Sequence, residues 1–299
     1  MRNRDLDDVT QIEYQQGVEF LKSGQLEKGW EAYDLRYGYG KIGTSLSRDT
    51  RHLYWTGEKS DGVVLVDDQG YGDFFHFARY IPMVQRRVGG IVEVACKPGL
   101  PELILDSFPG VRIIPLERNA GDMWFYSRTN FPYHLITSLG RLFGTSLDTI
   151  PRDVPYIKTK VQKWTNARIG LCWTSEVTWA DNYEIKSIPY KLIEPLILRD
   201  DAMSLLGIDL KTNYSVENWR DTAAIIDNLD LVITGDFAVA HLSGALGKPT
   251  WVLLPYDCDW RWMRDRTDSP WYPTARLIRQ TTPGDWIPVI KEVTRWLNP

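Results

Sequence analysis

The hydrophobic positions change their period along the chain. Between residues 10 and 37 they recur at helical spacing, first Tyr14, Val18 and Leu21, then Leu26, Trp30, Tyr33 and Leu35. The stretch from Leu21 to Leu26, with Ser23 and Gly24 inside it, breaks the pattern into two short helices. Such a hairpin cannot bury its apolar face alone and is expected to dock on the rest of the chain. Residues 38–52 carry Gly38, Gly40, Gly43 and several Ser and Thr, and read as a linker. From Gly62 onward, short continuous apolar runs alternate with helical segments. The spacing predicts strands at Val63–Val66, Ile91–Ala95 and Val111–Pro115, with helices at Asp73–Arg87 and Leu100–Ser107. After a stretch marked by Pro151 and Pro155 the pattern restarts. Strands are expected at Arg168–Trp173, Ala202–Leu206, Leu231–Thr234, Thr250–Leu254 and Ala275–Arg279. Helices are expected at Tyr190–Leu198, Thr222–Asn228, Phe237–Leu246 and Trp286–Leu297.

Unbroken apolar strands between helices imply parallel sheets covered on both faces. The alternation occurs twice, so the expected class is α/β: two doubly wound, Rossmann-like domains facing a cleft, preceded by a short helical hairpin. The expected divisions are 1–50, 51–160 and 161–299. Ligands of such sheets sit at the carboxyl ends of the strands.

Composition narrows the function. A length of 299 residues suits two domains rather than one core. A net charge of −4 argues against binding nucleic acid through bulk basic charge. Three scattered cysteines, without a CxxC pair, suggest neither a zinc site nor a disulfide framework and fit a reducing compartment, so the expected location is the cytoplasm. No apolar run reaches the length of a membrane span.

Four stretches carry candidate chemistry. The first is Gln69-Gly70-Tyr71-Gly72-Asp73, after the first strand and opening a helix. A dinucleotide fingerprint needs a third glycine, and Phe75 stands there instead. What is left is a tight turn that places Asp73 at a helix start, either as a chemical group or as a charge on the helix dipole. The second runs from Leu229 to Pro255. A buried strand ends at Thr234-Gly235-Asp236, Asp236 is expected to cap the next helix, and Phe237, Ala238 and His241 follow on its first turn. A helix start of this kind suits a diphosphate. The third holds Lys186, shortly after Thr174 and Ser175 at the end of a strand; it is either a phosphate partner or a solvated surface lysine. The fourth is the loop from Tyr256 to Pro273, where Asp259, Trp260 and Arg261 lead a run of alternating charges and tryptophans. It can stack on a ring and pair with phosphates, or simply form a salt-bridged cap.

In this order the pieces resemble the bacterial glycosyltransferases linked to tetratricopeptide repeats. That group is similar to ADP-heptose heptosyltransferases and, more distantly, to O-linked N-acetylglucosamine transferases. The resemblance rests on Trp55–Glu58, Gln69–Pro82, Phe143–Val154, Lys186–Pro189, Asp221–Asp230, Asp236–Pro255 and Asp259–Pro273. It implies a GT-B fold, with a nucleotide-sugar donor held by the second domain and an acceptor by the first. It implies an inverting transferase that needs neither cofactor nor metal. Asp73 matches the proposed base, Lys186 the residue that meets donor phosphate, and Asp236–His241 the segment beside diphosphate and sugar. Where the family usually carries Thr or Ser, this chain has Phe237. The acceptor is left open among a glycan, a lipid-linked sugar, a protein and a nucleic acid. The alternative is an inactive scaffold of the same fold that binds a nucleotide, glycan or protein.

Overall fold

The computed structural model describes residues 8–37, 54–119, 122–125, 131–162, 165–174, 183–205 and 218–298. The chain forms two compact units, Met1–Pro151 and Arg152–Pro299.

The first unit opens with the hairpin. Helix α1 (Asp8–Lys22) ends near Gly24, whose φ of +80° suits a glycine, and α2 (Leu26–Tyr33) returns against it. Gly17 makes the close crossing possible, because a Cβ there would strike Ala32. A Rossmann-like sheet follows. Its elements are β1 (Gly62–Val66), α3 (Tyr71–Phe77), α4 (Ile81–Val88), β2 (Ile91–Cys96), α5 (Pro101–Ser107), β3 (Val111–Asn119), β4 (Asp122–Phe125), β5 (Tyr133–Leu135) and α6 (Leu139–Leu142). The sheet order is β4-β3-β2-β1-β5. β1 pairs in parallel with both β2 and β5, and β4 runs antiparallel to β3. All five residues of β1 are buried, as a central parallel strand requires.

The expected single helix over Asp73–Arg87 is two. A 3-10 turn, Ala78–Tyr80, separates α3 from α4. Pro82 explains the break, since it lacks an N–H and its ring clashes with the carbonyl four residues earlier. β3 also runs past Pro115. Pro115 sits where β3 hands over from β2, which pairs Val111–Pro115, to β4, which pairs from Leu116 onward. β4 and β5 have no counterpart among the expected strands.

The second unit contains β6 (Ile169–Cys172), α7 (Tyr183–Lys186), α8 (Tyr190–Ile197), β7 (Ala202–Ser204), α9 (Trp219–Asp227), β8 (Leu231–Gly235), α10 (Ala238–Ala245), β9 (Thr250–Leu254), β10 (Ala275–Arg279) and α11 (Ile287–Leu297). Its sheet order is β10-β9-β8-β6-β7, parallel throughout. The chain adds β7 on one side of β6 and then returns to lay β8 on the other. β6 and β8 therefore flank the switch point, where such sheets bind ligands. α11 closes this unit's own core, with Trp286, Val289, Ile290 and Val293 packed among Ile169, Leu171, Ile233 and Leu253. The doubly wound α/β class expected from the sequence is the one observed in each unit. Among the described residues no helix is long and apolar enough to cross a membrane.

Candidate functional site

In the second unit the side chains gather at the carboxyl ends of β6 and β8. Asp236 follows β8 directly and is buried, with only 3% of its side chain exposed. Its Oδ1 accepts a hydrogen bond from the indole N–H of Trp262 at 2.7 Å. Its Oδ2 lies 2.7 Å from Lys186 Nζ, an ion pair across the two strand ends. Asp236 is therefore not the cap of α10. That position belongs to Phe237, with φ −124° and ψ 173°, and no side chain caps the helix. The carboxylate instead meets Lys186 and Trp262, and the first turn of α10 has no side-chain cap, its Ala240 N–H donating to the Phe237 carbonyl at 3.0 Å.

Lys186 is not a solvated surface lysine; its side chain is 17% exposed. Burial would lower its pKa, but the carboxylates of Asp236 and Asp259 outweigh burial and hold the ammonium above its ordinary range. Burial likewise opposes the ionised form of Asp259. Arg261 and Lys186 outweigh it, and the pKa falls to about 2. Asp259 Oδ1 takes both the Arg261 backbone N–H, at 3.0 Å, and its guanidinium, at 2.8 Å. Two acids and two bases thus form one charge group, with Asp236 and Arg261 buried and Lys186 and Asp259 half-buried.

His241 is tied inward. Its Nδ1 lies 2.9 Å from the Tyr272 hydroxyl, its ring stacks on Trp262 at 5.1 Å, and Nε2 is 4.0 Å from Asp236 Oδ1. Thr174 Oγ1 lies 3.0 Å from Ser187 Oγ. Gly235 is required by the Phe237 ring, since a Cβ on Gly235 would come within 2.5 Å of it. Ala238 begins α10. Ser175 lies outside the described residues.

Trp260 does not offer a stacking platform. It is 3% exposed, with Arg261 over its ring at 4.4 Å and Trp271 against its edge. The loop is a packed cap, because its indoles fill the core rather than face solvent. Arg279 staples it, donating to the carbonyls of Trp262 and Arg266 and to the sulfur of Cys258. This holds Met263 and Asp265 at φ of 53° and 54°, in the left-handed region that such residues rarely adopt.

The first unit holds the glycine stretch. Asp73 is the third residue of α3, and its Oδ2 accepts from the Gly70 N–H at 3.0 Å. The helix starts at Tyr71, two residues before the expected Asp73. Gly70 has φ −74°, and Gly72 sits within the helix, so neither glycine is there for a left-handed turn. Gly70 instead leaves room beside the carboxylate, which a Cβ would approach to 3.0 Å. Sequence reasoning passed over Asp67, Asp68 and Lys97. Asp67 and Asp68 are 0% and 2% exposed at the end of β1, and Lys97 follows β2. Two adjacent acids at the end of a wholly apolar strand were the available signal. Trp262 and Tyr272 lie in the expected loop, but their contacts with Asp236 and His241 are not legible in it, because each is distant in sequence from the group it holds.

No family model matches the chain. Protein FlbA of Caulobacter vibrioides is 25% identical over 341 residues, which cover 98% of this chain and 56% of FlbA. The chain thus spans about half the length of that curated relative. Among solved structures, a family 9 glycosyltransferase from Veillonella parvula DSM 2008 matches with a TM-score of 0.50. The identity is 11%, over 81% of this chain and 91% of that one. The two share a fold. Escherichia coli heptosyltransferase WaaC with ADP matches with a TM-score of 0.48 at 13% identity, over 79% of this chain and 98% of that one. Among the described residues, no group of three or more His, Cys, Asp or Glu is placed to hold a metal ion.

Proposed function

We propose that this chain is an inverting, metal-independent glycosyltransferase that moves a sugar from a nucleotide-sugar donor to an acceptor hydroxyl. The observation that carries the proposal is the buried Lys186–Asp236 pair beside the uncapped start of α10, at the switch point of the second sheet. A cation and a helix start without a side-chain cap at that place suit a diphosphate. The shared fold with a family 9 glycosyltransferase and the motif resemblance support the same activity.

In the proposed reaction Asp73 takes the proton of the acceptor hydroxyl. The oxygen attacks the anomeric carbon on the face opposite the nucleotide, and the bond from that carbon to the diphosphate oxygen breaks. The electron pair leaves with the nucleoside diphosphate. Lys186 and the N–H groups of α10 stabilise the growing charge. A carboxylate has about four lone-pair sites, so the Gly70 bond does not by itself exhaust Asp73. Thr174, Gly235, Ala238 and His241 line or shape the donor site, with Ser175 assigned to it on sequence alone. The acceptor is a hydroxyl of a glycan, lipid-linked sugar, protein or nucleic acid, and the reaction is assigned to the cytoplasm.

The test is a panel of UDP-, ADP-, GDP- and CMP-sugars, scored for thermal stabilisation and for release of free nucleotide. Stabilisation by one nucleotide class is expected, with release that disappears in Asp73→Asn. Release that survives Asp73→Asn would remove Asp73 as the base. A chain that no panel member stabilises would contradict the donor site itself.

A further inference from the structure

We propose that Lys97 is a positioning residue for Asp73, acting through the turn Gln69–Gly72. The inference rests on the assignment of Asp73 as the base. β2 lies parallel to β1 with Ala95 opposite Val66, so Lys97 leaves its strand beside the start of the Asp67–Gly72 turn. From there it grips that turn at several points. Its backbone N–H donates to Asp67 Oδ2 at 3.3 Å. Its ammonium pairs with Asp67 Oδ1, donates to the carbonyl of Gln69 and lies 5.2 Å from the centre of the Tyr71 ring. The next residue adds a further hold, with the Tyr71 hydroxyl donating to the carbonyl of Pro98 at 3.0 Å. On the other side Asp68 accepts from the Thr137 N–H at 3.2 Å and its hydroxyl at 2.6 Å, which joins the turn to the end of β5. The turn between these two holds contains Gly70, whose N–H meets Asp73.

Stability alone does not account for a buried ion pair at this place. Taking Asp67 and Lys97 out of water costs about as much as their attraction returns, and apolar replacements of such pairs are often neutral or better. What the pair supplies is one conformation of the segment that carries the base. A small misplacement of a reacting group costs on the order of 10²-fold in rate, so a group that fixes the Asp73 carboxylate acts on kcat rather than on donor binding.

The double variant Asp67→Asn/Lys97→Met removes both charges and so leaves no lone buried ion. Lys97→Met and Asp73→Asn are made beside it, and folding is checked by circular dichroism. Two readouts are taken: hydrogen exchange of the Gly70–Phe74 amides, and nucleotide release from whichever UDP-, ADP-, GDP- or CMP-sugar the wild type turns over. In the double variant exchange at Gly70–Phe74 is expected to rise about tenfold or more. Exchange in α4 should hold, kcat should fall on the order of 10²-fold and KM for the donor should stay within a factor of about two. Unchanged exchange at Gly70–Phe74 would overturn the inference whatever the activity. Raised exchange with wild-type kcat, in a protein that Asp73→Asn inactivates, would overturn it and leave the base assignment standing. Turnover that survives Asp73→Asn would instead overturn the base assignment, and with it the positioning role built on it.

Discussion

Lys186 and Asp236 set a half-buried ammonium against a carboxylate that water barely reaches, and the carboxylate is tolerable there because of its partner. Removing one side of such a pair strands a buried charge, at a cost of about 3–5 kcal/mol. Lys186→Met is therefore expected to lower the stability of the chain by about 3 kcal/mol in urea unfolding, the low end of that range because the stranded Asp236 keeps its hydrogen bond from Trp262. The companion Asp236→Asn/Lys186→Met should recover most of that loss while still losing nucleotide binding. Asp259 gives a pH prediction. Its folded pKa, about 2, lies below the ordinary carboxylate value. A depressed carboxylate stabilises the fold fully above its unfolded pKa and loses that contribution as pH falls towards the folded one. Between about pH 4 and pH 2 the chain should lose up to about 2 kcal/mol from this group. Asp259→Asn should flatten that part of a plot of urea midpoint against pH. Lys186 acts with the opposite sign: its contribution is present below the ordinary lysine pKa and lost as pH rises past the raised folded value. Asp236 is legible in the sequence because it closes an apolar strand and precedes a helix of small residues. Its partner Trp262 is not, because the contact spans 26 residues and no local period announces it.

At the scale of elements, regular strands and helices follow the apolar periods, and the departures have local causes. β9 and β10 fall where the sequence places them: β9 is a short apolar run, and β10 carries Ala275, Leu277 and Ile278 with two arginines, after the turn residues Pro273 and Thr274. β5 has only three residues, His134 among them, too few for a period to register. β4 pairs antiparallel with the extension of β3, Asn119 opposite Asp122, so the partnership is local in sequence; its four residues are simply too few for a period to register. The start of α10 shows local chemistry departing from expectation. Phe237 occupies the cap position with a side chain that can accept nothing, and its ring lies over Gly235. Phe237→Ser would place a hydroxyl at this turn. If the turn receives a diphosphate, one added hydrogen bond to a charged group contributes about 1.5 kcal/mol, or roughly tenfold in affinity. Isothermal titration of the variant with the nucleotide that stabilises the wild type checks this, and an unchanged Kd would place the phosphates elsewhere.

At the scale of the molecule, each of the two units carries its own sheet and core. The sequence does not show how firmly the hairpin joins the first of them. Trp30 answers that. It is 2% exposed, and its indole N–H donates to the carbonyl of Thr145 at 2.8 Å. The ring meets Phe77 edge-on at 6.3 Å and fits against Gly140, where a Cβ would come within 2.8 Å of it. Asp34, just after α2, accepts from the Ser138 hydroxyl at 2.7 Å and pairs with Arg141 at 3.4 Å. Phe77 is the last residue of α3 and Asp73 lies in its first turn, so the hairpin seats the far end of the helix that carries the proposed base. Trp30→Ala should therefore do two things. It should cost about 3–5 kcal/mol in urea unfolding, the usual loss for a buried tryptophan that leaves a cavity. It should also raise hydrogen exchange in α3, because the helix loses the ring that Phe77 packs against. A loss below about 1 kcal/mol with α3 unchanged would make the hairpin an appendage, since a ring that holds a helix in place cannot be removed at so small a cost.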